Sequence, residues 1–186
     1  MRVVYSTLNF SADQTRFKKI IGYVPQDDVV VSELTLPVNI LHSARRIDDL
    51  LSCLGLNHSQ NILVGDPSEP VISEGQRKRV SIGIKLAAAL LALILDEPTS
   101  GLDATSALSI IGLLKALCRL GINVKCLLHQ PRLEHFQSLD KLLLLASGQE
   151  TYFAKAPDLI EYFENVGFSV SKQCNPADLL MDILSG

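Results

Sequence analysis

Short apolar runs alternate along the chain with longer segments in which apolar residues recur every three or four positions. The runs predict buried strands at 20–24, 91–95, 124–128 and 142–145. The periodic segments predict helices at about 36–45, 73–89, 104–120, 157–165 and 176–184. Strands that alternate with helices are typical of a layered α/β domain with a largely parallel sheet.

Capping signals mark where two of these helices begin. Ser73 and Gln76 have the S-x-x-Q spacing of a capping box, in which each side chain satisfies an amide that the first helical turn leaves unpaired. Thr35 is a residue type that caps helices and directly precedes the helix from about 36. Pro37 is compatible with this helix, since it lies in the first turn. We therefore expect helices to start beside Thr35 and Ser73.

The composition is that of a globular protein and argues against several functional classes. Hydrophobic residues make up 47% of the 186 residues, and the net charge of −3 gives no indication of a nucleic-acid partner. The longest uncharged apolar run, Leu86 to Leu95, has 10 residues, about half of the roughly 20 that a transmembrane helix needs. The four cysteines form no C-x-x-C pair and predict reduced core thiols in a cytosolic compartment. No linker or repeat divides the chain, so one domain is expected.

Two adjacent acids, Asp96 and Glu97, follow the apolar run 91–95. In open α/β sheets, ligands bind where strands leave the core, which makes this pair a candidate site. The alternative is a strand followed by an ordinary polar turn, since proline, serine and glycine come next and favour a turn in any context. The stretch alone leaves both interpretations open.

Four chemically distinctive stretches follow one another along the chain. They are GYVPQDD (22–28), ISEGQRKRVSIG (72–83), LALILDEPTSGLD (91–103) and LLHQPR (127–132). This series resembles the nucleotide-binding domain of an ATP-binding-cassette (ABC) transporter, and GYVPQDD, GQRKRVSIG and HQPR are most similar to subfamily G. The resemblance covers about residues 20–186.

The resemblance implies a P-loop NTPase-like fold, a layered α/β domain with a largely parallel sheet and a helical signature subdomain. Residues 1–186 would form part of one ATP-binding domain. Within it we expect a helical and signature region at about 30–90, a core from the Walker B motif to the H-loop at about 91–155, and C-terminal helices at about 156–186.

The resemblance also implies roles at the strand ends. Asp96 corresponds to the Walker B aspartate that holds Mg²⁺ through its water shell, and Glu97 to the base that deprotonates the attacking water. Gln26 corresponds to the Q-loop glutamine, which contacts the metal shell, and His129 to the histidine that contacts the γ-phosphate of ATP. Without the resemblance, Gln26 would be interpreted as a turn residue and His129 as a structural histidine.

The segment from Ser73 resembles the ABC signature, which binds the nucleotide held by an opposite subunit. Ser73, Gly75 and Gln76 would bind ATP there, so a second nucleotide-binding domain is an expected partner. Asp103 resembles the D-loop aspartate that reaches the partner domain, and its other interpretation, a helix N-cap, is compatible with that role. The basic run 77–79 is interpreted as a solvated helix face in preference to a phosphate or membrane contact.

The chain departs from the family pattern at the phosphate loop, at the signature, and between SARRI and DDLLSCLGL, which abut here where the family has a longer helical stretch. The phosphate loop should have the form G-x-x-x-x-G-K-[ST], and none of the 11 glycines is followed by lysine. We expect the Walker A portion to lie upstream of Met1, in a longer transporter, or to have been lost from a truncated descendant. The chain alone should then bind ATP poorly and be marginally stable or poorly soluble, because its sheet lacks a strand. Glu74 replaces the first signature glycine, and the sequence leaves the direction of its carboxylate open.

The leading interpretation is a partial ATP-binding and ATP-hydrolysing domain of a subfamily G membrane exporter, with ATP and Mg²⁺ as ligands. ATP-driven dimerisation would be coupled to a transmembrane domain at the cytoplasmic face of a membrane. The alternative is a noncatalytic partner or remnant that lends its signature to a complete domain. A soluble ABC ATPase acting on ribosomes or DNA fits less well, because three motifs have the subfamily G form. The absent Walker A leaves open whether the isolated chain hydrolyses ATP.

Overall fold

A computed structural model describes residues 20–41, 51–59, 61–66, 69–87, 91–128, 133–146 and 148–168. The chain divides into two compact units between Leu127 and Leu128, here called the sheet unit and the hairpin unit. Each unit has its own cluster of buried apolar residues. The division expected from the family resemblance, with boundaries near 90 and 155, stays a prediction.

The described helices and strands follow one another in chain order. They are β1 (Ile21–Val24), α1 (Leu36–Leu41), β2 (Gly65–Asp66), β3 (Glu69–Pro70), α2 (Glu74–Leu86), β4 (Ala92–Asp96), α3 (Ala104–Arg119), β5 (Asn123–Leu127), α4 (Leu133–Gln137), β6 (Lys141–Ala146), β7 (Gln149–Lys155) and α5 (Leu159–Asn165). Two short 3₁₀ turns lie at Asn57–Ser59 and Ala156–Asp158. The helix expected at 176–184 and the end of the helix expected at 36–45 lie outside the described residues.

A three-stranded parallel sheet with the spatial order β1-β4-β5 forms the centre of the sheet unit. Leu93 and Leu95 of the middle strand are fully buried and lie on one face of the sheet, while Ile94 on the opposite face is half-buried. Leu91, which was expected within this strand, instead precedes it and is 62% exposed. The predicted strands and the parallel pairing are otherwise confirmed.

Two helices contact different strands of this sheet. α3 contacts β5, and α2 contacts β1, α1 and α3. Their buried apolar residues join those of β4 in one core, to which α3 contributes Ile110, Leu114 and Leu117 at three- or four-residue spacing. The predicted starts of α1 and α2 beside Thr35 and Ser73 are confirmed.

The hairpin unit differs from the sequence prediction. β6 was expected, but it pairs in antiparallel fashion with β7, a strand that was not predicted. The sequence of β7, QETYFAK, has too many polar residues for a buried run. Gly148, at φ +76°, supplies the left-handed turn residue between the two strands. A serine-glycine pair before a strand was therefore the available signal for this hairpin.

The edge of β5 bears on the expected instability of the chain. β5 pairs with β4, and no strand among the described residues pairs with its other edge. Leu127 at its end is 55% exposed. Burial, with a smaller effect from Cys118, raises the pKa of Cys126 to about 12, so this thiol stays neutral at physiological pH. An open edge with apolar side chains fits marginal stability, which stays a prediction.

Candidate functional site

The carboxyl ends of the three parallel strands lie side by side at one edge of the sheet. Asp96 is the last residue of β4 and Glu97 follows it, while Gln26 lies two residues beyond β1. The amide of Glu97 donates to the carbonyl oxygen of Leu127, the last residue of β5, over 3.1 Å. The fold therefore brings the predicted Gln26, Asp96 and Glu97 to the edge where open α/β sheets bind ligands.

Asp96 is held by a side chain from the neighbouring strand. The Tyr23 hydroxyl donates to Asp96 Oδ2 over 3.0 Å. Tyr23 pairs with Ile94, so Asp96 is its diagonal neighbour on the same face. The hydrogen bond to Asp96 raises the pKa of Tyr23, because ionisation would remove the donor and set a phenolate beside a carboxylate. The hydroxyl thus fixes the rotation of the carboxylate through one oxygen.

Glu97 has a backbone conformation that L-residues rarely adopt. Its φ is +43°, and it is the one residue other than glycine with positive φ among those described. The conformation is held on both sides, because the amide of Glu97 binds Leu127 and its carbonyl oxygen accepts from the amide of Ser100 over 3.0 Å. Such a conformation costs roughly 1–2 kcal/mol and is concentrated at functional sites.

Gln26 contacts two different parts of the sheet unit. Its side-chain Nε2 lies 3.4 Å from Ser100 Oγ, in a long hydrogen bond to the turn after β4. Its carbonyl oxygen accepts from Lys78 Nζ of α2 over 2.6 Å. Gln26 is therefore more than a turn residue, because it joins α2 to the turn that follows the two acids.

The N-terminus of α2 is closed by the predicted capping box. The amide of Gln76 donates to Ser73 Oγ over 3.2 Å, and the amide of Ser73 donates to Gln76 Oε1 over 2.9 Å. Gln76 Nε2 also donates to Ser59 Oγ over 3.0 Å, so both ends of this side-chain amide are engaged. The amides of Glu74 and Gly75 have no acceptor within the helix, as expected in a first turn. These two amides are the donors that an anion could reach.

The start of α3 lies directly against the start of α2. Asp103 caps α3, since its carboxylate accepts from the amides of Thr105 and Ser106 and from Ser106 Oγ over 2.6 Å. The hydroxyl of Ser106 and these amides lower the pKa of Asp103. A Cβ on Gly75 would lie 3.2 Å from Ser106, so the approach of the helices leaves little room there. The N-cap interpretation of Asp103 is confirmed, and its contact with a partner domain stays a prediction.

The carboxylate of Glu74 lies beside the turn after β4. Its Oε2 is 3.7 Å from the position that a Cβ would have on Gly101, a glycine with φ +76°. Gly101 belongs to the same turn as Ser100, which Gln26 contacts. The orientation that the sequence left open is thus toward this turn of the same chain.

The interpretation of residues 77–79 as a solvated face is wrong for two of the three. Arg77 is 7% and Lys78 is 4% exposed. Arg77 Nη2 donates to the carbonyl oxygens of Val64 and Gly65, over 3.3 and 2.7 Å. The physical reason is that α2 is surrounded by α1, α3, β1 and the 64–65 segment, so it has no broad solvated side. Arg79 Nη2 donates to Ser109 Oγ of α3 over 2.9 Å.

One predicted site residue lies outside the described residues, and some contacts near the candidate site were not predicted. His129 falls outside the described residues, so its predicted contact with phosphate stays a prediction. Sequence reasoning missed Tyr23 and the pair formed by Lys78 and Asp28. The position of Tyr23 near the end of a strand beside β4 was an available signal. Nothing local marks Lys78, because Asp28 is 50 residues away in sequence.

Two family models match the chain. The ABC transporter model matches residues 3–100, more than half of the chain, and an ABC-2 type transporter model matches residues 129–186. Within the described ranges, no helix has both the length and the apolar character that crossing a bilayer requires.

Curated relatives match almost the whole chain. It is 43% identical over 182 residues to the ABC-type transporter claG of Penicillium crustosum, covering 90% of this chain and 24% of that protein. It is 38% identical to ABC transporter G family member 14 of Arabidopsis thaliana, covering 100% of this chain and 30% of the relative. It is 36% identical to the broad substrate specificity ATP-binding cassette transporter ABCG2 of Rattus norvegicus, covering 96% and 29%. The chain spans about a quarter of the length of these relatives, and it belongs to the ABC transporter family, in the G subfamily.

Proposed function

We propose that this chain supplies the Walker B, Q-loop and signature parts of the ATP-hydrolysing domain of a membrane exporter. The observation that carries the proposal is the convergence of Gln26, Asp96 and Glu97 at one sheet edge, through the parallel register of β1 and β4 and the bond from Glu97 to Leu127. This ATP-hydrolysing domain would act at the cytoplasmic face of a membrane, beside a transmembrane domain.

The donor set at this edge suits a hard cation. Asp96 offers a carboxylate and Gln26 an amide oxygen, which are ligands that Mg²⁺ accepts directly or through water. Among the described residues, no group of three or more His, Cys, Asp or Glu side chains could hold a metal. Phosphate oxygens and water would therefore complete the metal's coordination. When bound, Mg²⁺ neutralises charge that develops on the transferred phosphoryl group.

Glu97 is the residue that we assign to the chemical step. Its carboxylate would accept a proton from the attacking water, as a general base does, and His129 would orient that water and the γ-phosphate. Two backbone hydrogen bonds support this role, because they hold the backbone of Glu97 beside Asp96: its amide donates to the Leu127 carbonyl oxygen, and its own carbonyl oxygen accepts from the Ser100 amide.

The first turn of α2 would act on a nucleotide held by a second domain. The amides of Glu74 and Gly75, with the positive end of a 13-residue helix, form an anion site beside Ser73. Asp103 would contact the partner domain from the adjacent start of α3. A homodimer or heterodimer of nucleotide-binding domains is thus part of the proposal.

The groups that bind the β- and γ-phosphates of ATP would come from outside these residues. No G-x-x-x-x-G-K-[ST] loop occurs in the sequence, and such a loop supplies both the amides and the lysine that bind these phosphates. We therefore propose that residues 1–186 alone bind ATP poorly.

Binding of labelled ATP tests the proposal. The 186-residue chain is compared with a chain extended upstream by a segment that contains a phosphate loop. We expect that only the extended chain binds ATP at micromolar concentration, which corresponds to a binding free energy of about −8 kcal/mol. Binding by the short chain at that concentration, lost on His129→Ala, would contradict the proposal.

Hydrolysis by the extended chain tests the role of Glu97. Glu97→Gln should keep ATP binding and lower turnover on the order of 10²–10⁴-fold, because the base is lost. Glu161→Gln, an exposed acid of α5, is the matched control and should leave turnover unchanged. Normal turnover in Glu97→Gln would remove the assignment of the base.

The second candidate function is a noncatalytic partner that lends α2 to a complete domain. The observation that favours it is the intact capping box of α2 in a chain without a phosphate loop. Mixing the chain with a complete ABC domain separates the two functions. Stimulation of the complete domain that survives Glu97→Gln and is lost on Gly75→Asp supports the second candidate.

A further inference from the structure

Lys78 is a buried cation on the side of α2 that faces the loop after β1. Its side chain is 5% exposed, and Nζ lies 2.9 Å from Asp28 Oδ1. Nζ also donates to the carbonyl oxygen of Gln26 over 2.6 Å. A buried ammonium group is tolerated when it is paired and hydrogen-bonded, because desolvation otherwise costs more than folding can offset.

A second residue of α2 holds the same carboxylate. Ser81 Oγ donates to Asp28 Oδ1 over 3.0 Å. Lys78 and Ser81 are three positions apart, so they lie on one face of the helix, one above the other. The loop from Gln26 to Asp28 is therefore attached to α2 at two successive turns.

The loop carries this attachment on to the sheet edge. The backbone of Gln26 is bound by Lys78, while its side chain reaches Ser100 in the turn after Asp96 and Glu97. A buried ion pair adds little stability compared with an apolar replacement, but removing one partner leaves the other charge buried and uncompensated. The contacts thus form one path from α2 through Gln26 to the catalytic edge.

We propose that Lys78 is a positioning residue that ties the Gln26 loop to α2, so that a displacement of α2 moves Gln26 at the sheet edge. The meaning of that movement for ATP hydrolysis rests on the proposed function. The tie itself involves residues of this chain alone and is measurable without nucleotide.

A fluorescent reporter in the loop tests the tie in the 186-residue chain. The sequence contains no tryptophan, and Val29, the residue after Asp28, is 55% exposed. Val29→Trp therefore gives a single emission from the loop. Its nanosecond anisotropy and acrylamide quenching report the loop's local motion.

In this background, Lys78→Met and Asp28→Asn should each raise the quenching constant by about twofold and add a fast anisotropy decay. The double variant should change less than the sum of the two single variants, because both single substitutions remove the ion pair between Lys78 and Asp28. Lys78→Arg should restore the restricted motion by returning a cation. Lys85→Met, a less buried lysine of α2, is the control and should change nothing.

Circular dichroism shows whether each variant is folded, and only folded variants are compared. Should Lys78→Met fail to fold, Asp28→Asn decides, since Asp28 is more exposed and keeps its bond to Ser81. An unchanged loop in the folded variants, or an equal change in Lys85→Met, would overturn the tie. Failure of the extended chain to bind ATP would overturn the proposed function and leave the tie intact.

Discussion

α2 and α3 lie side by side in the sheet unit, yet different interactions hold them. α3 buries an apolar stripe against the sheet, with Ile110, Leu114 and Leu117 at its centre. α2 also buries Val80 and Ile82 in this core, but two of its charged residues are buried as well. Arg77 and Lys78 donate to backbone carbonyl oxygens, and Lys78 also pairs with the Asp28 carboxylate.

The comparison shows how each helix is positioned. Apolar burial is not directional, so a stripe fixes which face of α3 meets the core but tolerates small shifts. Hydrogen bonds have strict distances and angles, so the contacts of α2 fix its position relative to the Gln26 loop and to α3. Directional contacts of buried charged side chains thus add to apolar burial in positioning α2.

The largest expected effect comes from removing a buried apolar side chain from the stripe of α3. Ile110 is fully buried, so Ile110→Ala should lower the free energy of unfolding by about 2–5 kcal/mol. Leu108, on the exposed side of α3, is the control, and Leu108→Ala should cost about 0.5 kcal/mol or less. Urea denaturation followed by circular dichroism measures both. Equal costs would mean that α3 is not held by its stripe.

Two glycine substitutions compare how closely α2 and α3 are packed against their neighbours. A Cβ on Gly83 of α2 would lie 2.6 Å from Leu54 Cδ1 and 3.1 Å from Ile40 Cδ1, while a Cβ on Gly112 of α3 meets nothing within 4 Å. Gly112→Ala should stabilise the protein by about 0.5–1 kcal/mol through helix propensity. Gly83→Ala should destabilise it by about 1 kcal/mol, because overpacking outweighs that gain. Opposite signs in the thermal unfolding of the two variants are the diagnostic result.

The smallest effect distinguishes the two N-caps by pH. The Ser106 hydroxyl and amides of α3 lower the pKa of Asp103 in the folded protein. The ionised carboxylate therefore stabilises the fold at pH values above the unfolded pKa of about 3.8, and this stabilisation is lost as pH falls through the lower folded pKa. Ser73 does not titrate, so its cap should not depend on pH. Asp103→Asn should therefore differ from the parent protein less at pH 3 than at pH 6, whereas Ser73→Ala should cost about 1 kcal/mol at both. A constant difference for Asp103→Asn would contradict the capping geometry.

The strand ends of the candidate site could be predicted from the sequence because their signals are local. An apolar run followed by Asp96 and Glu97 implies a buried strand that ends in acids, and parallel strands end at one edge. Ser73 and Gln76 predicted their capping box for the same reason, since three residues separate them. The strand β7 was missed because most of its residues are polar or exposed, and Tyr152 is the one buried residue in it.

Most strands and helices of the sheet unit could be predicted from the sequence, and so could the family. Those properties follow from neighbouring residues and from motif order along the chain. Tertiary structure alone decided that Lys78 is buried against Asp28, that Tyr23 holds Asp96 and that Glu74 lies beside Gly101. Each of these contacts joins residues more than 20 positions apart, and a side chain's surroundings depend on which distant segments the fold packs against it.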